Sequence, residues 1–325
     1  MSFRSYVRNL KVLNLLKPRF LASLRNDTKM YYDTASQNGG NKMKQIITIF
    51  KKFTKIALIL LMLSVMGIGL QGAALAGNNI TMKGSTTVLP IAQMTAEVFM
   101  ERHPDVNISV QGGGSGIGIA AIIDGTCDIG DASRSMKEQE LSNAVSKGVD
   151  PKANFIAMDG IAVIVHPSNK VSAITKNQLK DIYTGKVSDW SALGNESQKI
   201  VVVSRDSASG TFESFGEMAL DKEKVRPDAL MQASNQAIAS AVAKTPGAIG
   251  YVGLGYISSQ VKALALDGVM PSKATVLSNK YKLSRPLFMY TNGSPQGVVK
   301  DFLDFVLSEE GQKLVEEAGF VGLKK

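Results

Sequence analysis

The chain holds a single cysteine, Cys127, and only two histidines, His103 and His166. One thiol excludes an intramolecular disulfide, and export does not demand one in a chain long enough for a proper core. A zinc site would have to lean on carboxylates, because the sulfur and imidazole ligands zinc ordinarily takes are scarce. The same scarcity thins the case for nucleophilic catalysis. No Gly-x-Ser-x-Gly elbow contains Ser115, since position 117 is isoleucine. His103 follows a helix-like stretch, where capping is the default role, and His166 precedes Pro167 and marks a strand exit. Internal repeats and low-complexity linkers are missing as well.

The formal charge of +9 and pI near 9.4 would ordinarily point to nucleic acid or an anionic membrane. Its distribution removes that reading. Residues 1 to 76 hold twelve Lys/Arg and two acids, Asp27 and Asp33, whereas the remaining 249 residues hold 25 basic and 26 acidic side chains, a net of −1. From Met43 the chain reads as a secretory signal peptide: Lys44, Lys51, Lys52 and Lys55, an apolar run from Ile56 to Leu70, and a small-x-small site at Ala74-Leu75-Ala76, with cleavage expected after Ala76. The apolar run falls short of the ~20 residues a membrane span needs. No cysteine follows the cleavage site, which argues against a lipoprotein anchor. Residues 1–42 fit neither a signal nor a domain. They read as a start-site error, with translation beginning at Met43 behind a Gly39-Gly40 pair whose codons can spell a ribosome-binding sequence; a disordered extension is the alternative.

The mature chain alternates strand-like and helix-like runs. The strands are Asn79 to Met82, Val106 to Val110, Phe155 to Ala157, Ile161 to His166, Ile200 to Val203, Ile249 to Val252 and Pro286 to Tyr290. The helices are Ile91 to Glu101, Ile117 to Asp124, Lys137 to Ser146, Lys176 to Tyr183, Thr211 to Met218, Asn235 to Lys244 and Gly297 to Ala318. Such alternation implies α/β units with mostly parallel strands. Ligands of these sheets collect where strand C-termini meet helix N-termini.

Three Ser/Thr/Gly loops occupy that position: Gly84-Ser85-Thr86-Thr87, Gly112 to Gly116, and Arg205 to Thr211. Helix starts expose unpaired N–H groups at the positive end of the macrodipole, and small hydroxyls add donors without blocking approach. A helix cap needs one hydroxyl, so the threonines after Ser85 are in surplus. Neither a dinucleotide fingerprint nor a P-loop fits the glycine run. Arg205 precedes Ser209 by four residues, so both can reach one anion, the guanidinium offering a planar fork to tetrahedral oxygens. Asp206 beside it would pair with or orient a neighbour. The segment Asp128 to Arg134 adds Asp131, Ser133 and Arg134. A carboxylate such as Asp131 can accept a hydrogen bond from protonated phosphate but would repel sulfate.

These loops, in this order, resemble the PstS family, the phosphate-binding receptors of bacterial phosphate ABC transporters. The resemblance covers residues 78 to 322. Its most specific pieces are Gly84 to Pro90, Gly112 to Gly116, Asp128 to Arg134, Asp181 to Gly185 with Trp190, Arg205 to Thr211, Gly247 to Tyr251, and the tail from Phe302 through Phe320. It implies a two-lobed type II periplasmic binding protein, each lobe a mostly parallel sheet flanked by helices, joined by two crossover strands at Ile161 to His166 and Pro286 to Tyr290. Lobe I would comprise residues 77–165 and 286–325, and lobe II residues 166–285. The resemblance assigns the anion to Ser85, Thr86, Thr87, Ser115 and Ser133 from one lobe and Arg205, Ser209, Gly210 and Thr211 from the other. Where the enteric pattern has an aspartate that accepts the phosphate proton, this chain carries Arg134, which leaves the acceptor unassigned.

The expected activity is therefore capture of inorganic phosphate outside the cytoplasm and delivery to permease subunits, by a monomer without cofactor, metal or nucleic acid. The expected location is periplasmic, or secreted or surface-associated in a host without an outer membrane. The alternatives are a receptor for sulfate, molybdate or tungstate, a secreted phosphatase, and a surface protein using the fold for adhesion or signalling.

Overall fold

The computed structural model describes residues 78–323. The signal peptide and N-terminal extension expected from sequence lie outside the described residues.

The first half is built from β1 (Asn79–Gly84), α1 (Leu89–Arg102), β2 (Asn107–Gln111), α2 (Ser115–Ile123), β3 (Ile129–Ala132) and α3 (Glu138–Ser146), followed by β4 (Pro151–Val165). The second half continues with β5 (Ala173–Ile174), α4 (Lys176–Thr184), a 3₁₀ turn at Trp190–Leu193, β6 (Val201–Arg205), α5 (Gly210–Met218), β7 (Leu230–Gln232), α6 (Asn235–Lys244) and β8 (Ala248–Gly253). A 3₁₀ turn at Leu254–Tyr256, β9 (Lys262–Ala263), β10 (Ala265–Leu266) and α7 (Lys273–Leu277) lead into β11 (Ser284–Asn292), and α8 (Gly297–Leu307) and α9 (Glu309–Glu317) close the chain on the first half.

The main sheet runs β2-β1-β3-β11-β4-β8-β6-β7, with β9 beside β4. Strands β1, β2 and β3 pair in parallel, as do β8, β6 and β7, and every antiparallel pairing in that sheet involves β4 or β11. Strand β4 serves both halves: Pro151 to Gly160 pair with β11, and Ile161 to Val165 pair with β8. The latter five residues are all fully buried, which explains a run without polar alternation. Sequence reading placed two separate strands in this stretch. They are one, because Asp159 between them is buried yet partnered, and Gly160 lets Val276 approach where a Cβ would lie 2.8 Å from its Cγ2.

Separate cores support the halves. One gathers Ile80, Met82, Ile91, Phe99, Leu287, Phe302 and Phe320, and the other Val163, Leu179, Tyr183, Trp190, Phe215 and Tyr251. Local signals agree with this packing at several ends. Pro90 sits in the first turn of α1. Thr175 and Gln178 form a capping box on α4, which stops at Gly185 in the left-handed conformation. The single helix expected over Gly297 to Ala318 is two, broken at Ser308, whose extended backbone (ψ 166°) ends α8 and whose hydroxyl accepts the Gly311 N–H at 3.1 Å to start α9.

Candidate functional site

The first loop leaves β1 through Gly84, whose φ of 138° and a would-be Cβ only 2.9 Å from the Gly118 Cα exclude a side chain. Ser85 N–H then donates to Asp131 O at 2.9 Å, and Ser85 Oγ accepts from Thr87 N at 3.1 Å, which folds the loop on itself. Helix α1 starts at Val88 with no side-chain cap, so the Thr86 and Thr87 hydroxyls are not spent on it. They cross the seam instead. Asn235 Nδ2, at the start of α6, donates to Thr86 Oγ1 at 3.1 Å and to Thr87 Oγ1 at 3.0 Å, and Thr87 Oγ1 lies 3.0 Å from Thr211 Oγ1.

The second and third loops meet head-on. Helix α2 begins at Ser115 after the uncapped Gly114, and α5 begins at Gly210 after Ser209, whose Oγ accepts the Phe212 N–H at 3.1 Å. Gly116 N–H donates across the seam to Ala208 O at 3.0 Å. Gly210 faces Ser115 and Ser133 so closely that a Cβ there would sit 2.9 Å from Ser133 Oγ. Ser115 Oγ accepts the Ser133 N–H at 3.0 Å and lies 3.2 Å from Ser133 Oγ. Ser85, Thr86, Thr87, Ser115, Ser133, Arg205, Ser209 and Thr211 are each at most 5% exposed. Two helix N-termini and a set of hydroxyls thus converge in a buried seam, an arrangement suited to a dehydrated anion.

Arg205 supplies the charge. Its Nε donates to Gln232 O at 3.1 Å and its Nη2 to Ala233 O at 3.0 Å, while Nη1 is buried with no protein partner. A guanidinium fixed on two arms and free on the third is aimed rather than merely placed. Burial pulls its pKa below the ordinary arginine value, with Asp206 and Tyr251 opposing that fall. Tyr251 also accepts the Arg205 N–H at 3.2 Å.

The remaining residues singled out from sequence behave differently. Arg134 takes no part in the hydroxyl cluster. Its Nη1 and Nη2 grip Glu140 at 2.8 Å each, and its Nε makes an ion contact 2.6 Å from Glu213 of α5, off the line of a hydrogen bond. Lys137 joins Glu213 at 2.9 Å, so an ion-pair network closes the rim across the seam. Asp206 shapes its own loop, accepting the Ala208 N–H at 3.0 Å. Asp131 lies in the wall under the first loop, 1% exposed, with Oδ1 unpartnered, and burial holds its carboxyl well above the ordinary value of 3.8.

Three participants escaped the sequence reading: Asn235, Asp159 and Arg285. Arg285 Nη2 stands within hydrogen-bonding distance of Asp159 Oδ2 at 3.0 Å, Thr87 Oγ1 at 3.1 Å and Thr211 Oγ1 at 2.9 Å, its two protons shared among the three acceptors. Its Nε also reaches Asp159 Oδ2 at 3.1 Å, and Asp159 Oδ1 accepts the Leu254 N–H at 2.9 Å. Burial raises the Asp159 pKa and lowers that of Arg285, each countered by the other's charge. The available signal was a charged residue interrupting the apolar run of β4, Asp159, and one at the start of β11, Arg285.

Comparison with known proteins gives a consistent picture. Residues 71–310 match the PBP superfamily domain. The chain is 36% identical over 256 residues to the phosphate-binding protein PstS of Bacillus subtilis, covering 77% of this chain and 83% of that one. It is 35% identical over 257 residues to PstS of Staphylococcus epidermidis, covering 75% and 78%. Among solved structures, a Clostridium perfringens protein described as a phosphate ABC transporter substrate-binding protein with bound phosphate shares 37% identity at a TM-score of 0.72, over 76% of this chain and all of that one. An ABC-type phosphate transport receptor from Vibrio cholerae shares 32% identity at a TM-score of 0.63, over 75% and 100%. By fold, identity and coverage, this chain belongs to the PstS family of phosphate-binding proteins within the PBP superfamily.

Proposed function

We propose that the mature chain is an extracytoplasmic phosphate receptor that encloses the anion between two lobes and hands it to the permease of an ABC transporter. The observation that carries this is the buried seam itself, in which Thr86, Thr87, Ser115 and Ser133 from one side face Ser209, Gly210, Thr211 and the unpartnered Nη1 of Arg205 from the other. Ligand specificity then comes from hydrogen bonds in a dry site, each charge-assisted by the anion. Release requires the lobes, residues 77–165 with 286–325 and residues 166–285, to part about β4 and β11. The Arg134–Glu213–Lys137 network at the rim is a contact that opening must break. The protein performs no turnover of the anion; its work is capture and presentation. Export by a signal peptide ending at Ala76 places it outside the cytoplasm.

The test is titration calorimetry on residues 77–325 after unfolding and refolding to strip bound anion. Phosphate should bind tightly with one site per chain, and sulfate, molybdate and tungstate should not compete. A second reading, a receptor for a fully ionised oxyanion, draws on the same cluster, whose hydroxyls act as donors. Under that reading sulfate or molybdate binds in preference to phosphate, and affinity is flat across the pH range where phosphate changes protonation.

A further inference from the structure

Arg285 and Asp159 face each other as a register pair on β11 and β4, the two strands that run along the seam, and they are only 3% and 0% exposed. A buried ion pair of this kind is weak evidence for stability, since a well-packed apolar pair often does as well. Its geometry points to a different purpose. One nitrogen of Arg285, Nη2, touches Thr87 Oγ1 from the first half and Thr211 Oγ1 from the second.

Hydrogen-bond accounting shows what this contact does. A hydroxyl has one proton to give and two lone pairs to fill. Thr87 Oγ1 receives N–H bonds from Arg285 Nη2 and from Asn235 Nδ2. The Asn235 amide cannot turn over to become an acceptor there, because its Oδ1 is already taken by the Gly253 N–H at 3.1 Å. Both lone pairs of Thr87 are therefore engaged, one by Asn235 and one by an Arg285 nitrogen whose protons are shared with Thr211 and Asp159, and its own proton must be donated. Thr211 Oγ1 receives Arg285 Nη2 at 2.9 Å and stands 3.0 Å from Thr87 Oγ1. A guanidinium never accepts, so neither threonine can direct its proton back toward Arg285. Asp159 holds the fork in place through Nε and Nη2 and cancels its charge, so the effect on the threonines is directional and adds little net positive charge. Gly253 completes the packing: a Cβ there would lie 2.9 Å from Thr87 Cγ2 and 3.1 Å from Asp159 Oδ2.

We propose that Arg285, held by Asp159, is a positioning residue for the anion that acts through Thr87 and Thr211, engaging a lone pair on each so that both hydroxyls serve as donors at the point where the lobes meet. This rests on the phosphate-receptor reading above. The test is a mutant cycle read by phosphate titration of the stripped, refolded protein. Arg285→Gln alone strands Asp159 in the interior, so the Arg285→Gln/Asp159→Asn pair is made beside it as the variant that leaves no lone buried charge. The pair should weaken phosphate binding by about 10- to 100-fold, the range of a charge-assisted hydrogen bond or two. In a Thr87→Val/Thr211→Val background the same pair should change affinity by less than about threefold, because the groups it acts through are gone. Arg285→Lys, which keeps the charge but not the fork, should fall with the pair and not with the wild type.

Fully additive losses in the two backgrounds would overturn the proposal and make Arg285 an independent contributor, as would a pair variant that binds like the wild type. Failure of the wild type to bind phosphate is a separate outcome. It would refute the receptor reading rather than this one.

Discussion

Replacing Arg205 by alanine tests the site most directly, because this side chain is both structural and unfinished. Two of its arms are committed to Gln232 O and Ala233 O, and the third is buried without a protein partner. A hydrogen bond to a charged group contributes roughly 1.5–3 kcal/mol, and leaving a dehydrated anion without its paired charge brings the loss to about 3–5 kcal/mol. Affinity for phosphate should therefore fall by about two to almost four orders of magnitude. The same substitution takes a hydrogen bond from the Gln232 and Ala233 carbonyls, of which Gln232 O keeps the Asp206 N–H at 3.3 Å, at about 1 kcal/mol each, so the unliganded protein should also melt a few degrees lower. Calorimetry on the stripped protein gives the first quantity and thermal unfolding without phosphate the second. Arg205→Lys separates charge from geometry: it retains the charge yet cannot hold both carbonyls and the anion at once, and should recover only part of the affinity. Unchanged phosphate affinity in Arg205→Ala, with the melting loss intact, would reduce Arg205 to a loop brace and refute its assignment to the anion.

Other perturbations probe the seam from different sides. Gly210→Ala places a methyl against Ser115 and Ser133 across the seam; overpacking of this kind costs ~1–3 kcal/mol, and it should appear as lost phosphate affinity with an unaltered unliganded melting temperature. Glu213→Gln removes the acceptor shared by Arg134 and Lys137, and stopped-flow release of phosphate should quicken roughly fivefold, matching about 1 kcal/mol for a partly screened pair, with a weaker dependence on salt. Asp131→Asn isolates a carboxyl whose pKa burial holds well above the ordinary value in the folded chain, while the unfolded chain ionises it above about pH 4. The folded state then binds more protons, so the wild type loses stability as pH rises from that point through the folded pKa, and the asparagine variant should gain on it over the same window in denaturant titrations. Sequencing the exported protein should begin at Gly77, and mass spectrometry of the unprocessed precursor that finds peptides from residues 1–42 would refute the start at Met43.

The Ser/Thr/Gly loops were legible because their chemistry is local. A strand end, a glycine that admits close approach and a hydroxyl before a helix are read from neighbouring residues, and Ser85 to Thr87, Ser115 and Ser209 to Thr211 all stand where that reading put them. Arg134 was legible as a residue but not as a role. Its partner Glu140 lies six residues on in α3 of the same half, but Glu213 belongs to α5, and only the meeting of the halves brings it to Arg134. Strand β3 was legible only as a strand end within Asp128 to Arg134 and not as a named strand, since Ile-Gly-Asp-Ala, with all four residues buried, shows no alternation. The break at Ser308 was missed because helical periodicity continues across it, and a serine inside an amphipathic run signals a cap only once the chain has turned.

By itself the sequence determined the class of the molecule: α/β alternation, a near-neutral span from residue 77 behind a basic N-terminal segment, and helix starts furnished with hydroxyl donors. Only the tertiary structure decided how those donors are oriented. Arg285 is 126 residues from Asp159, 198 from Thr87 and 74 from Thr211, yet one guanidinium nitrogen touches all three. The direction of a hydroxyl proton depends on which neighbours fill its lone pairs, and those neighbours are chosen by the pairing of β4 with β11 and by the closing of one half on the other.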